Sequence, residues 1–429
     1  MLTALAGFAV AFGLIFIRVP IAVALGVTGL GGYWLVNGLN PALSIAALSA
    51  TGSSMSYSLA VIPLFILMGN LVAGAGISAE LYRAAQVFVG HRRGGLGIAT
   101  IISCGGFAAV CGSSVATAVT MGRVAIPSMR SFGYSDQLST ATVAAGGTLG
   151  ILIPPSVIMV IYGIATETHI GQLFAAGVIP GLIGIIGYSM AVSWVAWRNP
   201  AAAPRGPRAT RAEKFDAMRR IWSVAALFTL VLGGIYGGLF TATEAAGIGA
   251  IGAFVFAVGR GLTLAALVEI FKSSAETTAV LFALIIGATI FAEFINFTGA
   301  HHGVLAVVNE SGLSPAMVIV VIMLIYILLG CVLDSLAMML LTLPMFFPIV
   351  TGLGFDPVWF GIMVVMVVEL GLITPPLGMN LFVLRTIVPE VSLATMMRGI
   401  MPFVVSDLVR LAVLGLLPGV VLFLPRLLF

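Results

Sequence analysis

The sequence predicts an all-α polytopic membrane protein with two inverted-topology repeats, two re-entrant helical hairpins and discontinuous helices. Three observations predict this fold. Of the 429 residues, 60% are hydrophobic and only 8% are charged, whereas soluble domains carry roughly 25% charged residues. Apolar stretches that approach or exceed the roughly 17–25 residues of a membrane span recur from end to end. Short motifs recur at a nearly constant offset of 220 to 222 residues.

The apolar stretches predict ten membrane crossings, because each is near or above the length of a spanning helix. The predicted crossings are 1–17, 19–36, 58–77, 138–165, 173–197, 221–240, 243–259, 277–297, 357–386 and 400–425.

Two further apolar stretches, 97–129 and 314–350, are too long for one helix and too short for two spans with a connection. The middle of each is small, polar or interrupted by proline. Non-helical backbone at membrane depth is tolerated where it is buried in protein. We therefore predict two re-entrant hairpins.

The positive charges predict the orientation. Seven of the nineteen Lys and Arg residues lie between Arg198 and Arg220, and loops rich in basic residues remain cytoplasmic. Counting crossings outward from this loop places both termini outside. The hairpin at 97–129 then enters from the cytoplasmic side and the hairpin at 314–350 from the outer side. The net charge of +4 is accounted for by this asymmetry, and we expect no nucleic-acid partner.

The recurring motifs divide the chain into two copies. Gly150-Ile-Leu-Ile-Pro-Pro155 corresponds to Gly371-Leu-Ile-Thr-Pro-Pro376, and three other pairs keep the same register. We predict a first repeat at 1–205, a basic cytoplasmic linker at 206–220 and a second repeat at 221–429. Each copy has an odd number of crossings, so the two face opposite ways, as in secondary transporters with a substrate site at the repeat interface.

The double prolines Pro154-Pro155 and Pro375-Pro376 lie inside predicted crossings. Proline removes a helix hydrogen-bond donor, so the helix is expected to unwind there and expose carbonyl oxygens. A simple kink is the alternative. Because the interruption occurs at matching positions of both copies, we favour a binding site.

The hairpin middles, Gly112-Ser113-Ser114 and Leu333-Asp334-Ser335, supply hydroxyls and one carboxylate. Asp334 has no basic neighbour in sequence, and an unpaired membrane carboxylate is costly. A bound cation is a suitable counter-charge, and hard oxygen ligands suit Na⁺. The alternative is a structural carboxylate that caps a helix or reaches a distant arginine.

Glu369, just before the second double proline, is predicted to be either a proton or cation site or a hydrogen-bond acceptor of the scaffold. Asp334 is interpreted as the only aspartate well inside a predicted membrane segment. An intramembrane aspartyl protease needs two, so an enzyme is a remote alternative. Neither of the two lysines follows a glycine, which excludes a GxxxxGK[ST] phosphate loop. We predict no organic cofactor and an ion gradient as the energy source.

Four motifs resemble a known family. GFAAVCGSSVATAVTMG, GILIPPSVIMVIYG, TATEAAGIGA and ELGLITPPLGMNLFV are similar to the large membrane subunit of TRAP (tripartite ATP-independent periplasmic) transporters. The resemblance covers essentially the whole chain. It implies a Na⁺-driven elevator in the bacterial inner membrane, working with a small four-helix membrane subunit, expected as a separate chain, and a soluble periplasmic binding protein. The implied substrate is a small carboxylate.

The resemblance also implies two sodium sites. Ser113 would act with carbonyls near Gly150, Ile153 and Pro155, and Asp334 would act with Thr374, Gly378 and Met379. Ser335 is grouped with these sodium ligands because it lies beside Asp334 in the hairpin middle. The polar residues expected nearest the substrate are Ser114, Ser156 and Asn380. A binding-protein-independent anion transporter with a similar two-hairpin design is the nearer alternative function.

Overall fold

The computed structural model describes residues 2–300, 302–304, 310, 312–331, 333–375 and 378–429. These residues are predominantly helical, with short connections. The α-helices that precede the basic linker are α1 (Leu2–Phe16), α2 (Ile21–Asn37), α3 (Leu39–Met55), α4 (Val61–Gly74), α5 (Ile77–Val89), α6 (Gly95–Cys111), α7 (Ser114–Ser131), α8 (Asp136–Leu152), α9 (Val157–Ala165) and α10 (Ile170–Arg198).

A further set of α-helices lies from the basic linker to the C-terminal end of the chain. They are α11 (Arg211–Arg220), α12 (Trp222–Tyr236), α13 (Ala242–Gly259), α14 (Leu264–Phe297), α15 (Pro315–Gly330), α16 (Ser335–Gly352), α17 (Pro357–Ile373), α18 (Met379–Ile387), α19 (Leu393–Leu416) and α20 (Pro418–Leu428).

Among the described residues, six helical segments are long and apolar enough to cross a membrane, or up to eight if two bent pairs each form one span. One of the six is the 30-residue segment 136–165, which contains both α8 and α9. The bent pairs are α3 with 58–74, at 58°, and α11 with α12, at 43°. The prediction of an all-helical multi-span membrane protein is confirmed.

The two predicted hairpin regions each contain a pair of helices joined by a short turn. α6 and α7 meet at Gly112, which has φ +65°. A side chain would be strained in this left-handed conformation, so glycine is suited to the turn. α15 and α16 are joined by residues 331–334, of which Val332 lies outside the described residues.

Both predicted interruptions are present. α8 ends at Leu152 and α9 begins at Val157, with Pro154 and Pro155 between them. α17 ends at Ile373 and α18 begins at Met379. Pro375 lies in this second break, whereas Pro376 and Leu377 lie outside the described residues.

Four helical segments were not predicted. One is α5, which lies between the predicted crossing 58–77 and the predicted hairpin at 97–129. α3 mixes apolar residues with serine, threonine and glycine, so its hydropathy falls below that of a typical span. α14 begins at Leu264, although the predicted crossing begins at 277, because Glu269, Lys272 and Glu276 interrupt the apolar sequence of its first turns. α11 lies in the basic linker and begins with a capping box, in which Thr210 and Glu213 satisfy each other's backbone N–H groups.

α8 and α17 form the centre of the core. Every residue of α8 from Leu138 to Leu152 is buried, and so is every residue of α17 from Val358 to Ile373. The two helices pack against each other and against α10 and α19. Each carries one of the breaks at its C-terminal end, so both breaks begin inside the protein and not against lipid.

Candidate functional site

A cavity of about 420 Å³ lies between the tips of the two hairpins. Its remaining walls come from α4, from α14 and from the residues that flank the first helix break. The polar side chains that line it are Asn70, Ser113, Ser114, Ser273, Thr277, Asp334 and Ser335. Elements far apart in sequence therefore converge on one pocket, with both predicted hairpin middles facing each other across it.

The first hairpin tip is organised by Ser113, the N-cap of α7. Its hydroxyl accepts a hydrogen bond from the Ala116 backbone N–H at 3.4 Å, and its carbonyl accepts one from Thr117 Oγ1 at 2.7 Å. This cap satisfies one donor of the helix terminus. The other backbone donors of the first turn remain near the cavity wall.

The second hairpin tip is organised by Asp334, the N-cap of α16. Its Oδ2 accepts a hydrogen bond from the Leu336 backbone N–H at 3.2 Å. The ion pairs formed among the described residues do not include Asp334. The carboxylate is thus stabilised by a helix N-terminus, and both the capping role and a cation-binding role are compatible with this position.

The two tips give the cavity an unusual electrostatic character. The N-termini of α7 and α16 both lie at its wall, and helix N-termini favour anions. No Lys or Arg is among the described residues that line it, and Asp334 is the acidic residue there. A bound carboxylate would therefore meet backbone N–H groups and hydroxyls, and it would need a cation to offset Asp334.

The first predicted sodium set is largely brought together. A methyl group placed on Gly150 would lie 2.7 Å from the Ser113 carbonyl oxygen, and one placed on Gly112 would lie 2.8 Å from the Pro155 carbonyl oxygen. Glycine is needed at both positions for this close approach. Ile153 has extended backbone at the end of α8, and its side chain packs towards Gly181.

In the second predicted set, Asp334 and Thr374 have separate hydrogen-bond partners. Thr374 Oγ1 donates a hydrogen bond to the Leu370 carbonyl at 2.5 Å, and Gly378 has φ +53° at the start of α18. Met379, the first residue of α18, is 41% exposed. In the described part of the chain, no hydrogen bond joins Asp334 to Thr374, Gly378 or Met379. The cavity nevertheless touches both Asp334 and Leu372, at the end of α17.

The predicted substrate residues separate into two groups. Ser114 lines the cavity. Asn380 and Ser156 are fully buried and do not line it. Asn380 Nδ2 donates hydrogen bonds to Ser114 Oγ at 2.8 Å and to the Ala144 carbonyl at 3.1 Å. Ser156 Oγ donates to the Ile151 carbonyl at 2.6 Å and caps α9. In this arrangement, Asn380 and Ser156 support the site and Ser114 faces it.

The sequence analysis did not identify another part of the cavity wall, which contains Asn70 on α4 and Ser273 and Thr277 on α14. Asn70 Nδ2 donates a hydrogen bond to Ser274 Oγ at 2.8 Å and so links these two helices. The available signal was an asparagine inside the predicted crossing 58–77. Ser273 lies between Lys272 and Ser274, before the predicted crossing 277–297.

Asp407 was also missed. It is buried in α19 within the predicted crossing 400–425, so interpreting Asp334 as the only aspartate inside a membrane segment was wrong. Arg410 Nη2 donates hydrogen bonds to Glu369 Oε2 at 2.6 Å and to Asp407 Oδ1 at 2.7 Å. Glu369 therefore accepts a hydrogen bond from Arg410, which lies 41 residues further along the chain.

Comparison with known proteins identifies a single family. Residues 8–420 match the family described as "Tripartite ATP-independent periplasmic transporter, DctM component". The chain is 39% identical over 378 residues to the C4-dicarboxylate TRAP transporter large permease protein DctM of Pseudomonas aeruginosa, with 87% of each chain covered. It is 32% identical over 424 residues to the sialic acid TRAP transporter large permease protein SiaM of Vibrio cholerae, covering 98% of this chain and 96% of the relative.

Among solved structures, the YdaH transporter of Alcanivorax borkumensis has a similar fold. The TM-score is 0.61 at 17% sequence identity, and the match covers 97% of this chain and 98% of that chain. At this level of identity, the similarity concerns the fold alone.

Proposed function

The chain belongs to the DctM family, the large permease component of TRAP transporters, and we propose that it carries a small carboxylate across the bacterial inner membrane, driven by Na⁺. Family membership makes it a multi-pass transporter permease and not an enzyme. The observation that carries the mechanistic proposal is the cavity between the hairpin tips, with two helix N-termini and one carboxylate without an ion-pair partner among the described residues.

The substrate class is proposed from the relatives and from the cavity chemistry. The two relatives described above are named for C4-dicarboxylates and sialic acid, which both carry carboxylates. Helix N-termini and the hydroxyls of Ser113, Ser114 and Ser335 are suitable donors to such a group. A volume of about 420 Å³ falls within the range of small-molecule sites, roughly 300–1,000 Å³.

Sodium coupling is proposed from the charge of the cavity. A carboxylate substrate next to Asp334 would place two negative charges in a pocket whose described lining has no Lys or Arg. Na⁺ bound near each tip would offset that repulsion, and hydroxyl, carbonyl and carboxylate oxygens are suitable ligands. The first site would use Ser113, Gly150, Ile153 and Pro155.

The second sodium site would use Asp334 with Ser335, Thr374, Gly378 and Met379. The two sites would be coupled because a substrate at the cavity lies between both tips. Substrate binding would then require both ions, and both ions would be retained by the substrate.

We further propose that residues 1–205 and 221–429 are inverted repeats, joined by the cytoplasmic linker 206–220. The helix bounds support this, since α7 and α16 both have 18 residues and α8 and α17 both have 17. Each pair is offset by 221 residues. Inverted repeats place a substrate site at their interface near the membrane midplane, and sliding of the hairpin-bearing helices against α2, α4 and α14 would give elevator-type alternating access.

We propose two partners, a small four-helix membrane subunit and a soluble periplasmic binding protein, because the family is described as tripartite. Exposed apolar helix faces would be covered by lipid and by the small subunit. The binding protein would deliver dilute substrate to the outer face.

Reconstitution in vesicles tests the proposal. With both partners, an inward Na⁺ gradient should drive concentrative uptake of a radiolabelled carboxylate. Replacing Na⁺ by K⁺ should abolish it, and uptake that persists would contradict sodium coupling. The chain without partners should not accumulate substrate. Robust uptake by the chain alone would instead favour a binding-protein-independent transporter.

A further inference from the structure

A second polar cluster lies in the core, apart from the cavity, where four helices meet. It comprises Glu369 from α17, Asp407 and Arg410 from α19, Tyr188 from α10 and Thr148 from α8. Each of these residues is at most 3% exposed. Buried charged groups in a membrane protein are costly and often functional, so the charge balance of this cluster needs an explanation.

The hydrogen bonds define the cluster. A single nitrogen, Arg410 Nη2, donates to Glu369 Oε2 at 2.6 Å and to Asp407 Oδ1 at 2.7 Å. Tyr188 Oη donates to Asp407 Oδ2 at 2.6 Å, and Thr148 Oγ1 lies 3.0 Å from Tyr188 Oη. Two carboxyl groups therefore share one guanidinium group.

With both carboxyl groups ionised, the cluster would have a net charge of −1. Among the described residues, the charged groups that act on Glu369 are Arg410 and Asp407, with the Tyr188 phenol behind them. Two other tyrosines lie on helices that pack against α17, Tyr162 on α9 and Tyr326 on α15. Tyr162 donates a hydrogen bond to the Pro357 carbonyl and Tyr326 accepts one from Thr342. An uncompensated buried charge costs several kcal/mol or more, so the excess charge has to be neutralised.

The two carboxyl groups are not equivalent. Asp407 accepts hydrogen bonds on both oxygens, from Arg410 and from Tyr188. Glu369 accepts one, on Oε2, and its buried Oε1 has no hydrogen-bond partner. Hydrogen bonds to the ionised form favour ionisation, so the negative charge is better stabilised on Asp407 than on Glu369.

We propose that this cluster is a proton-binding site, in which Glu369 holds one proton while Asp407 and Arg410 form a neutral ion pair. Glu369 lies five residues before Thr374, and Thr148 lies five residues before Ile153. The site thus joins α8 and α17 immediately before their breaks, and the bound proton lets these helices pack together without a net buried charge.

Infrared spectroscopy of the purified protein in lipid tests this directly. The native protein at pH 7 should show the carbonyl stretch of a protonated carboxyl group, and the Glu369→Gln variant should lack that band. Glu390→Gln is the control, since Glu390 is an exposed carboxylate that pairs with Arg130 at 2.6 Å, and the band should be unchanged there. Identical spectra of the native and Glu369→Gln proteins would overturn the proposal.

Thermal unfolding of the same proteins gives a second measurement. Glutamine is nearly isosteric with a protonated glutamic acid, so Glu369→Gln should keep the native midpoint. Asp407→Asn should lower it, because Arg410 would lose its anionic partner. Equal destabilisation by both variants, or failure of Glu369→Gln to fold, would show that Glu369 is ionised. Neither measurement requires transport, so the result is independent of the proposed function.

Discussion

The N-terminus of α7 is capped by a serine, Ser113, whereas the N-terminus of α16 is capped by an aspartate, Asp334. Both helices have 18 residues and both start at the wall of the same cavity. The helix terminus alone favours anions at the first tip, while the second tip adds a negative charge. The difference teaches how one cavity would combine the proposed binding of a carboxylate with the proposed binding of a cation.

The tips also differ in how they are held. Ser114 is hydrogen-bonded to Asn380, which lies 266 residues away on α18. In the described part of the chain, the Ser335 side chain makes no hydrogen bond, although the residue is buried. The first tip is thus anchored to the other half of the chain, and we expect the second tip to be held less firmly.

The largest expected effect is at the charged tip. We expect Asp334→Asn to reduce Na⁺-driven uptake by roughly tenfold or more. The substitution removes the carboxylate that attracts the ion and keeps the size of the side chain. Uptake by the complete system in vesicles measures it, with size-exclusion chromatography to confirm a monodisperse protein.

Asp356→Asn is the matched control for this variant. Asp356 also caps a helix, accepting hydrogen bonds from the Val358 and Trp359 backbone N–H groups, but it does not line the cavity. It should lose some stability and keep its Na⁺ dependence. If Asp334→Asn transports with unchanged Na⁺ dependence, Asp334 is not an ion ligand and the contrast between the tips has no functional meaning.

The next effect concerns the anchor of the first tip. We expect Asn380→Ala to destabilise the protein by about 1–2 kcal/mol, since interhelical hydrogen bonds in membranes average roughly 0.6 kcal/mol each and Asn380 donates two of them. Thermal unfolding in detergent measures the loss.

A double-mutant cycle with Ser114→Ala isolates the contact between these two side chains. The double variant should be less destabilised than the sum of the single variants, because both remove the same hydrogen bonds. Strict additivity would indicate that Ser114 and Asn380 do not interact across the two halves.

A smaller effect is expected at Ser113. We expect Ser113→Ala to weaken the Na⁺ dependence of uptake several-fold without abolishing it, because the backbone carbonyls of the proposed first site remain. Removing the cap itself costs about 1 kcal/mol. Ser135→Ala is the control, since Ser135 caps α8 with a comparable hydrogen bond, at 3.3 Å from the Leu138 N–H, and lies away from the cavity. Equal Na⁺ responses of the two variants would count against a sodium site at Ser113.

Cysteine labelling tests whether the two hairpin tips belong to inverted repeats, and the substitutions should leave transport unaffected. In a background without Cys104, Cys111 and Cys331, a cysteine at Ala212 should be labelled only from the cytoplasm. Cysteines at Leu39 and at Ser314 should be labelled only from outside. Labelling of positions 212 and 314 from the same face would contradict the inverted repeat and, with it, the equivalence of the two tips.

Local sequence was sufficient to predict the features whose cause is local. Pro154 and Pro155 cannot donate backbone hydrogen bonds, so a break after Leu152 follows from their chemistry alone. Gly112 is suited to a left-handed turn, and Ser113 and Asp334 are favourable N-caps. The hairpin regions, the breaks and the charged tip were therefore predictable, and composition alone required a membrane protein.

Tertiary structure decided which distant residues meet. Asn380 was predicted near the substrate, but it turns inward to Ser114 and the Ala144 carbonyl. Asn70 and Thr277 face the cavity because of how α4 and α14 pack around the hairpins. Asp407 and Arg410 have no local feature that identifies Glu369 as their partner. Such contacts depend on the packing of helices that are distant in sequence, and helix periodicity and residue chemistry constrain only the nearest turns of the same chain.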